Sequence, residues 1–200
     1  IIEFMTILIV LKTGLSGLSF SWYLKKHFGV KKFGVGFFGI FYALSGYMAA
    51  YSWNIMWLDC IMLFPLILLG LEQLVKEKKG TLYCITLGLS ILSNYYISIM
   101  ICIFMVIYVI AQMTLNPPKS FGEFMGTGLR FAFYSLLAGG LAAVVLLPEI
   151  YALQVTASGD FDFPKTFSSY FSIFDMIARH IGNVGTEIGL DHWPNIYCGV

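Results

Sequence analysis

The chain has 200 residues, of which 58% are hydrophobic and only 12% charged. A soluble domain carries about 25% charge, so this composition excludes a soluble globular protein and indicates an all-α, polytopic membrane protein. The net charge of +1 gives no footing for a nucleic-acid partner, and the informative feature is how the charge is distributed between apolar segments.

The chain opens on IIEFMTILIV, with no initiator Met and no charged leader region, and closes on PNIYCGV, where an apolar segment begins. It reads as an internal fragment of a longer protein. A helix needs about 20 apolar residues to cross a hydrocarbon core of about 30 Å. Residues 4–24 qualify, with Lys12 as an internal blemish, and a basic loop with Lys25, Lys26, Lys31 and Lys32 follows. Residues 34–52 form a second span, WNIMW a short turn, and 58–75 a third span ending at Lys76, Lys78 and Lys79. Two spans separate the basic loops, so both lie on one side, which the positive-inside rule makes cytoplasmic.

Residues 81–113 as one helix would run about 50 Å, too long for a simple crossing. If this stretch goes out and returns, Lys119 and Arg130 lie inside. The segment 149–193, with two basic residues (Lys165, Arg179) against six acidic ones, then lies outside. That arrangement fits the charge rule better than a single crossing. The expected elements are therefore an arm over 81–92, a turn at SNYYIS (93–98), and a returning arm over 97–113. The first arm reaches only about 18 Å, so the turn lies below the outer boundary. Non-helical backbone at that depth is tolerated where it is buried in protein or lines a wet cavity. On this reading SNYYIS floors a recess open to the outside. The alternative is one tilted helix whose polar groups pack against neighbours.

Pro117 and Pro118 precede a span over 124–147, in which Gly139 and Gly140 would allow close helix approach. Residues 1–148 thus form the membrane region. Residues 149–193 form an extracytoplasmic loop carrying an amphipathic helix over about 168–181, and 194–200 begin the next span. In that helix Tyr170, Phe171, Phe174, Ile177 and Ile181 share a face, with Asp175 and Arg179 spaced to pair on the other.

Asp59 is the principal candidate for chemistry. A carboxylate near the outer end of an apolar span is costly and needs a partner or water. Asn54 and Trp57 flank it, although Trp at this depth is commonly an interface anchor and Asp59 itself could simply cap or pair. Asn94, Tyr95 and Tyr96 are the candidate recess lining, and Glu149 follows LLP at the outer end of its span. His180, His192, Asp160, Asp162 and Asp191 share the outer loop, but their spacing matches no metal motif. The sequence names no cofactor; a divalent metal is compatible with these residues but not indicated by them. Cys60, Cys84, Cys102 and Cys198 form no C-x-x-C pair and read as small buried hydrophobes.

At ALSGYMAAYSWNIMWLDCIMLFPLILLGLEQLVKEKK, then LSILSNYYISIMICIF, LLPEIYAL and PNIYCG, the chain resembles the bacterial YfhO family over nearly its whole length. The family's LPL-like segment reads Phe64-Pro65-Leu66 here. The resemblance implies a multi-pass protein of the bacterial cytoplasmic membrane, similar to the C-superfamily glycosyltransferases (GT-C). It further implies transfer of a sugar from an undecaprenyl-phosphate-linked donor to a cell-wall polymer, such as lipoteichoic acid, on the outer face. In such enzymes a key carboxylate lies in the first outer loop, which this fragment would lack. Asp59 and the Asn94-Tyr95-Tyr96 turn are then the expected site residues within the chain, with Arg179 and His180 as further candidates for phosphate contact. A lipid-sugar flippase or transporter, or a non-catalytic partner of a glycosylation complex, is the competing class.

Overall fold

The computed structural model describes residues 2–29, 34–118, 120–155 and 172–180. These residues are helical, with no strand among them. In chain order the helices are α1 (Ile2–His27), α2 (Val35–Ala43), α3 (Gly46–Tyr51), α4 (Ile55–Glu77), α5 (Thr81–Ser93), α6 (Tyr95–Leu115), α7 (Phe121–Leu141), α8 (Ala143–Gln154) and α9 (Ile173–Ala178). Three of them, α1, α4 and α6, are long and apolar enough to cross a membrane, and the α7–α8 pair is a fourth, bent candidate.

The buried core is centred on α4. Leu58, Ile67, Leu71 and Leu74 are fully enclosed, and the last three share one cluster with Tyr83 and Leu87 of α5 and Met105 of α6. Contacts fix the directions. Lys12 meets Asp59 and His27 meets Glu72, so α1 runs parallel to α4. Cys60 meets Ser90, and Gly70 abuts the Tyr83 backbone, so α5 runs antiparallel to α4. Cys60 also meets Ser98, and Glu72 meets Tyr108, so α6 returns parallel to it. The chain therefore turns back at the 93–98 segment.

Lipid tails are as apolar as leucine, so close packing between small residues is what draws such helices together. At the α1–α2 contact a Cβ on Gly17 would sit 2.8 Å from Gly39 O, and one on Gly39 would sit 2.6 Å from Gly17 O. At the α4–α5 contact a Cβ on Gly70 would collide with the Tyr83 main chain. Neither helix pair could close to this distance with any larger residue.

Two expected spans are interrupted. The 34–52 span breaks between α2 and α3, where Ser45 is extended (φ −63°, ψ 158°) ahead of Gly46. A Ser-Gly pair is a common seat for such a kink. The 124–147 span ends at an 80° bend between α7 and α8, and helix continues through Pro148 to Gln154, inside the segment expected to be loop. Gly139 and Gly140 precede the bend, and a Cβ on either would meet open space. They weaken the helix at that point and do not provide the close approach expected of them. The contact of this helix with α5 runs past Gly88, where a Cβ would lie at ordinary packing distance from Ala138 O and Leu141.

Helix ends follow ordinary chemistry. Ser120 Oγ accepts from Glu123 N at 3.2 Å at the start of α7, the Ser-x-x-Glu spacing of a capping box. Lys78 closes α4 in the left-handed region (φ 63°). Of the expected 168–181 helix, only 173–178 is seen as helix, and residues 156–171 and 181–200 lie outside the described residues. That places Asp160, Asp162, Asp191, His192 and Cys198 beyond description, along with the side chain of Asp175.

Candidate functional site

The first turns of α4 gather polar groups on adjacent faces. On the face toward α1, Lys12 Nζ lies 2.8 Å from both carboxylate oxygens of Asp59 and donates to Ile55 O at 3.1 Å. The side chains are 16% and 27% exposed, so water reaches the pair only partly. The Lys12 blemish and the costly Asp59 are thus one neutral unit. Its attraction works in a low dielectric, where it offsets more of the desolvation cost than it would in water.

On the next face, Cys60 points at the α5–α6 turn. Its Sγ lies within 3.5–3.8 Å of Ser90 O, Asn94 O and Ser98 Oγ, and Ser90 and Ser98 hydroxyls bond each other at 2.8 Å. Asn94 is extended (φ −161°, ψ 113°) and caps α6, its Oδ1 accepting from Ile97 N at 2.9 Å. The asparagine thus makes the break possible, because its amide takes over one of the orphan donors of the new helix. α5 is only 13 residues long, about 20 Å. The break lies level with Cys60, five residues inside the start of α4, or roughly 8 Å.

A third face carries a row of rings. Tyr47 and Tyr51 of α3 lie 5.1 Å apart between centroids, Tyr51 and Trp57 5.8 Å, and Trp57 and Tyr96 6.5 Å. The row leads from α3 across α4 to the exposed Tyr96 on α6. Asn54 precedes the first turn of α4 as its cap residue without a side-chain cap bond.

A second polar cluster occupies the other end of the same three helices. Glu72 of α4 is 5% exposed and accepts from Tyr108 OH at 2.7 Å, Tyr23 OH at 3.1 Å and Lys76 Nζ at 3.2 Å. His27 Nδ1 lies 2.6 Å from its Oε1. One buried carboxylate therefore ties α1, α4 and α6 together beside Lys25, Lys26, Lys78 and Lys79.

A family model described as bacterial membrane protein YfhO matches residues 2–200. The chain belongs to the YfhO family. No curated protein and no solved structure matches it. In this YfhO-family chain the structure brings together Asn54, Trp57, Asp59, Asn94 and Tyr96, all within the first turns of α4 and α6; Tyr95 opens α6 beside them. Asp59 and Asn94 do not touch; Cys60 lies between their faces. Glu149 sits midway along α8, past the 80° bend, and no described contact joins it to Asp59. Arg179 and His180 follow α9, where His180 Nδ1 meets Met176 O of its own helix at 2.9 Å. Among the described residues no group of three His, Cys, Asp or Glu is placed to hold a metal ion.

Three residues of the family chain escaped the sequence reading as partners: Lys12, Glu72 and Tyr47. Lys12 and Asp59 are 47 positions apart, and only the parallel packing of α1 on α4 joins them. Glu72 stands next to KEKK and looks like part of a solvated charge run. Its signal is the apolar frame of Leu68, Leu69, Leu71 and Val75 around it, which places it on the inner side of the helix.

Proposed function

We propose that this chain is part of a membrane glycosyltransferase that moves a sugar from an undecaprenyl-phosphate-linked donor to a cell-wall polymer such as lipoteichoic acid. On this proposal the Asp59 end of the bundle faces the cell exterior and the lysine-rich end faces the cytoplasm, following the positive-inside rule. The observation that carries the reading is the Lys12–Asp59 pair beside a helix break in a YfhO-family chain.

The chemistry asks for two things. An acceptor hydroxyl attacks the sugar's anomeric carbon, the bond from that carbon to the phosphate oxygen breaks, and the acceptor's proton passes to a base. The departing lipid phosphate needs cationic or dipolar stabilisation. Asp59 supplies a carboxylate that can accept from a hydroxyl, and Lys12 supplies a cation held between that carboxylate and Ile55 O. Asn54, Trp57, Asn94, Tyr95 and Tyr96 surround the position as substrate contacts. Glu149, Arg179 and His180 remain candidates for the acceptor or phosphate side.

A lipid-sugar flippase is the second reading. The observation that favours it is the buried Glu72, which with the Lys12–Asp59 pair places ionisable groups at two levels between α1 and α4, and ionisable groups inside a membrane bundle commonly mark transport paths. Full-length protein in vesicles, given a labelled polyprenyl-phosphate sugar and purified acceptor polymer on the outer side, separates the two. Label on the polymer supports transfer. Movement of the donor across the bilayer with no label on the polymer would overturn it.

A further inference from the structure

The Tyr47 hydroxyl of α3 is enclosed and, among the described residues, bonds to nothing. Buried hydroxyls in folded proteins nearly always find a partner, so an orphan asks for an explanation. Its neighbours make it more telling. The nearby Tyr42 hydroxyl is satisfied by Ile61 O at 2.8 Å, so a tyrosine in this region can be paired through the α4 main chain. Tyr47 instead packs its ring on Tyr51, which packs on Trp57, one turn before Cys60 on α4. Cys60 in turn leans on Asn94 at the break. The orphan donor therefore belongs to the row of rings beside the candidate site.

Two further donors nearby are uncommitted. Asn94 uses its Oδ1 as the α6 cap, while its Nδ2 donates to no described group. Trp57 contacts Tyr51 and Tyr96 through its ring, and its Nε1 likewise has no described acceptor. Rings with apolar bodies and polar tips, arranged in a row with spare donors beside it, suit a ligand that is apolar on its faces and rich in oxygen at its edges. A pyranose ring has that character, with C–H faces and hydroxyl acceptors around the rim. A bare phosphate does not, and a hydrocarbon chain would leave the donors unpaired at a cost.

We propose that Tyr47, Tyr51 and Trp57 form the sugar subsite of this site, with the Tyr47 hydroxyl donating to a sugar oxygen. The inference rests on the glycosyl-transfer reading above and adds which residues hold the sugar. The lipid phosphate lies on the neighbouring face of α4, at Lys12.

The test uses the full-length protein in lipid nanodiscs and the Tyr47→Phe variant, which removes one oxygen. The probes are bare polyprenyl phosphate and polyprenyl phosphates carrying glucose, galactose or N-acetylglucosamine. Wild type is expected to bind at least one sugar-bearing lipid more tightly than the bare lipid. Tyr47→Phe should reduce that margin by about threefold to tenfold, the worth of one hydrogen bond, and leave bare-lipid affinity unchanged. Its thermal midpoint should equal or exceed that of wild type, because an unsatisfied buried donor has gone. A full margin retained in Tyr47→Phe overturns the subsite, as does wild type binding bare and sugar-bearing lipids alike. If wild type binds none of the lipids, the glycosyl-transfer reading itself falls and the subsite falls with it.

Discussion

Replacing Lys12 with Met removes the cation that faces Asp59 and keeps the chain's length and apolar stem. The pair is well formed, with Nζ 2.8 Å from both oxygens and 3.1 Å from Ile55 O. Breaking a fully buried pair costs about 3–5 kcal/mol because one charge is stranded, whereas an exposed pair is worth about 0–1 kcal/mol. At 16% and 27% exposure this one lies between, so Lys12→Met should cost about 2 kcal/mol. Asp59→Asn keeps an oxygen facing Lys12 and should cost about half as much. The double variant strands no charge. Its loss should fall short of the sum of the singles by at least about 1 kcal/mol. Unfolding of the full-length protein in detergent micelles, followed across the four variants, measures the coupling. Losses that add to within about 0.5 kcal/mol would refute the claim that the two residues act as one unit.

Other perturbations test the rest of the frame. Gly70→Leu should abolish accumulation of folded protein, because its side chain must displace the Tyr83 main chain; an immunoblot of membranes reads this directly. Asn94→Ala should lower stability by about 1 kcal/mol through loss of the α6 cap, and Asn94→Asp should restore most of it; a thermal midpoint for each variant checks the order. Glu72→Leu leaves the Tyr23 and Tyr108 hydroxyls with each other and strips His27 and Lys76 of their acceptor. It should destabilise by about 2–4 kcal/mol, measured the same way, with Glu72→Gln milder. For sidedness, a cysteine at Ser52 should react with an impermeant thiol reagent in whole cells and one at Ser120 should not.

The sequence disclosed the helical membrane class, and it disclosed the break, because Ser93, Asn94, Tyr95 and Tyr96 interrupt an apolar run with groups that need partners. Which partners they find was not legible. Asn94 turns inward to cap its own helix and to meet Cys60, and nothing in the local pattern points to a thiol 34 positions earlier. The kinks at Ser45 and Ala142 were hidden because Ser-Gly and Gly-Gly pairs suit a tight interface as well as a bend, and only the surrounding space decides between them. Asp59 was singled out correctly as costly. Its cost is met by Lys12, which a hydropathy reading treats as a defect in another span. Glu72 was passed over for a related reason: next to three lysines, a glutamate reads as surface charge, and its burial depends on Tyr23 and Tyr108 arriving from two other helices.

Activity per folded molecule of Asp59→Asn bears most directly on the proposed role of the Lys12–Asp59 site. The variant keeps the shape of the side chain and removes its charge, and the assay uses full-length protein in membranes. With the amount of folded protein measured in parallel, transfer of sugar to the polymer should fall by more than tenfold, or about 1.4 kcal/mol of barrier. Transfer within twofold of wild type would contradict a functional role for the carboxylate and leave the pair as a structural tie between α1 and α4.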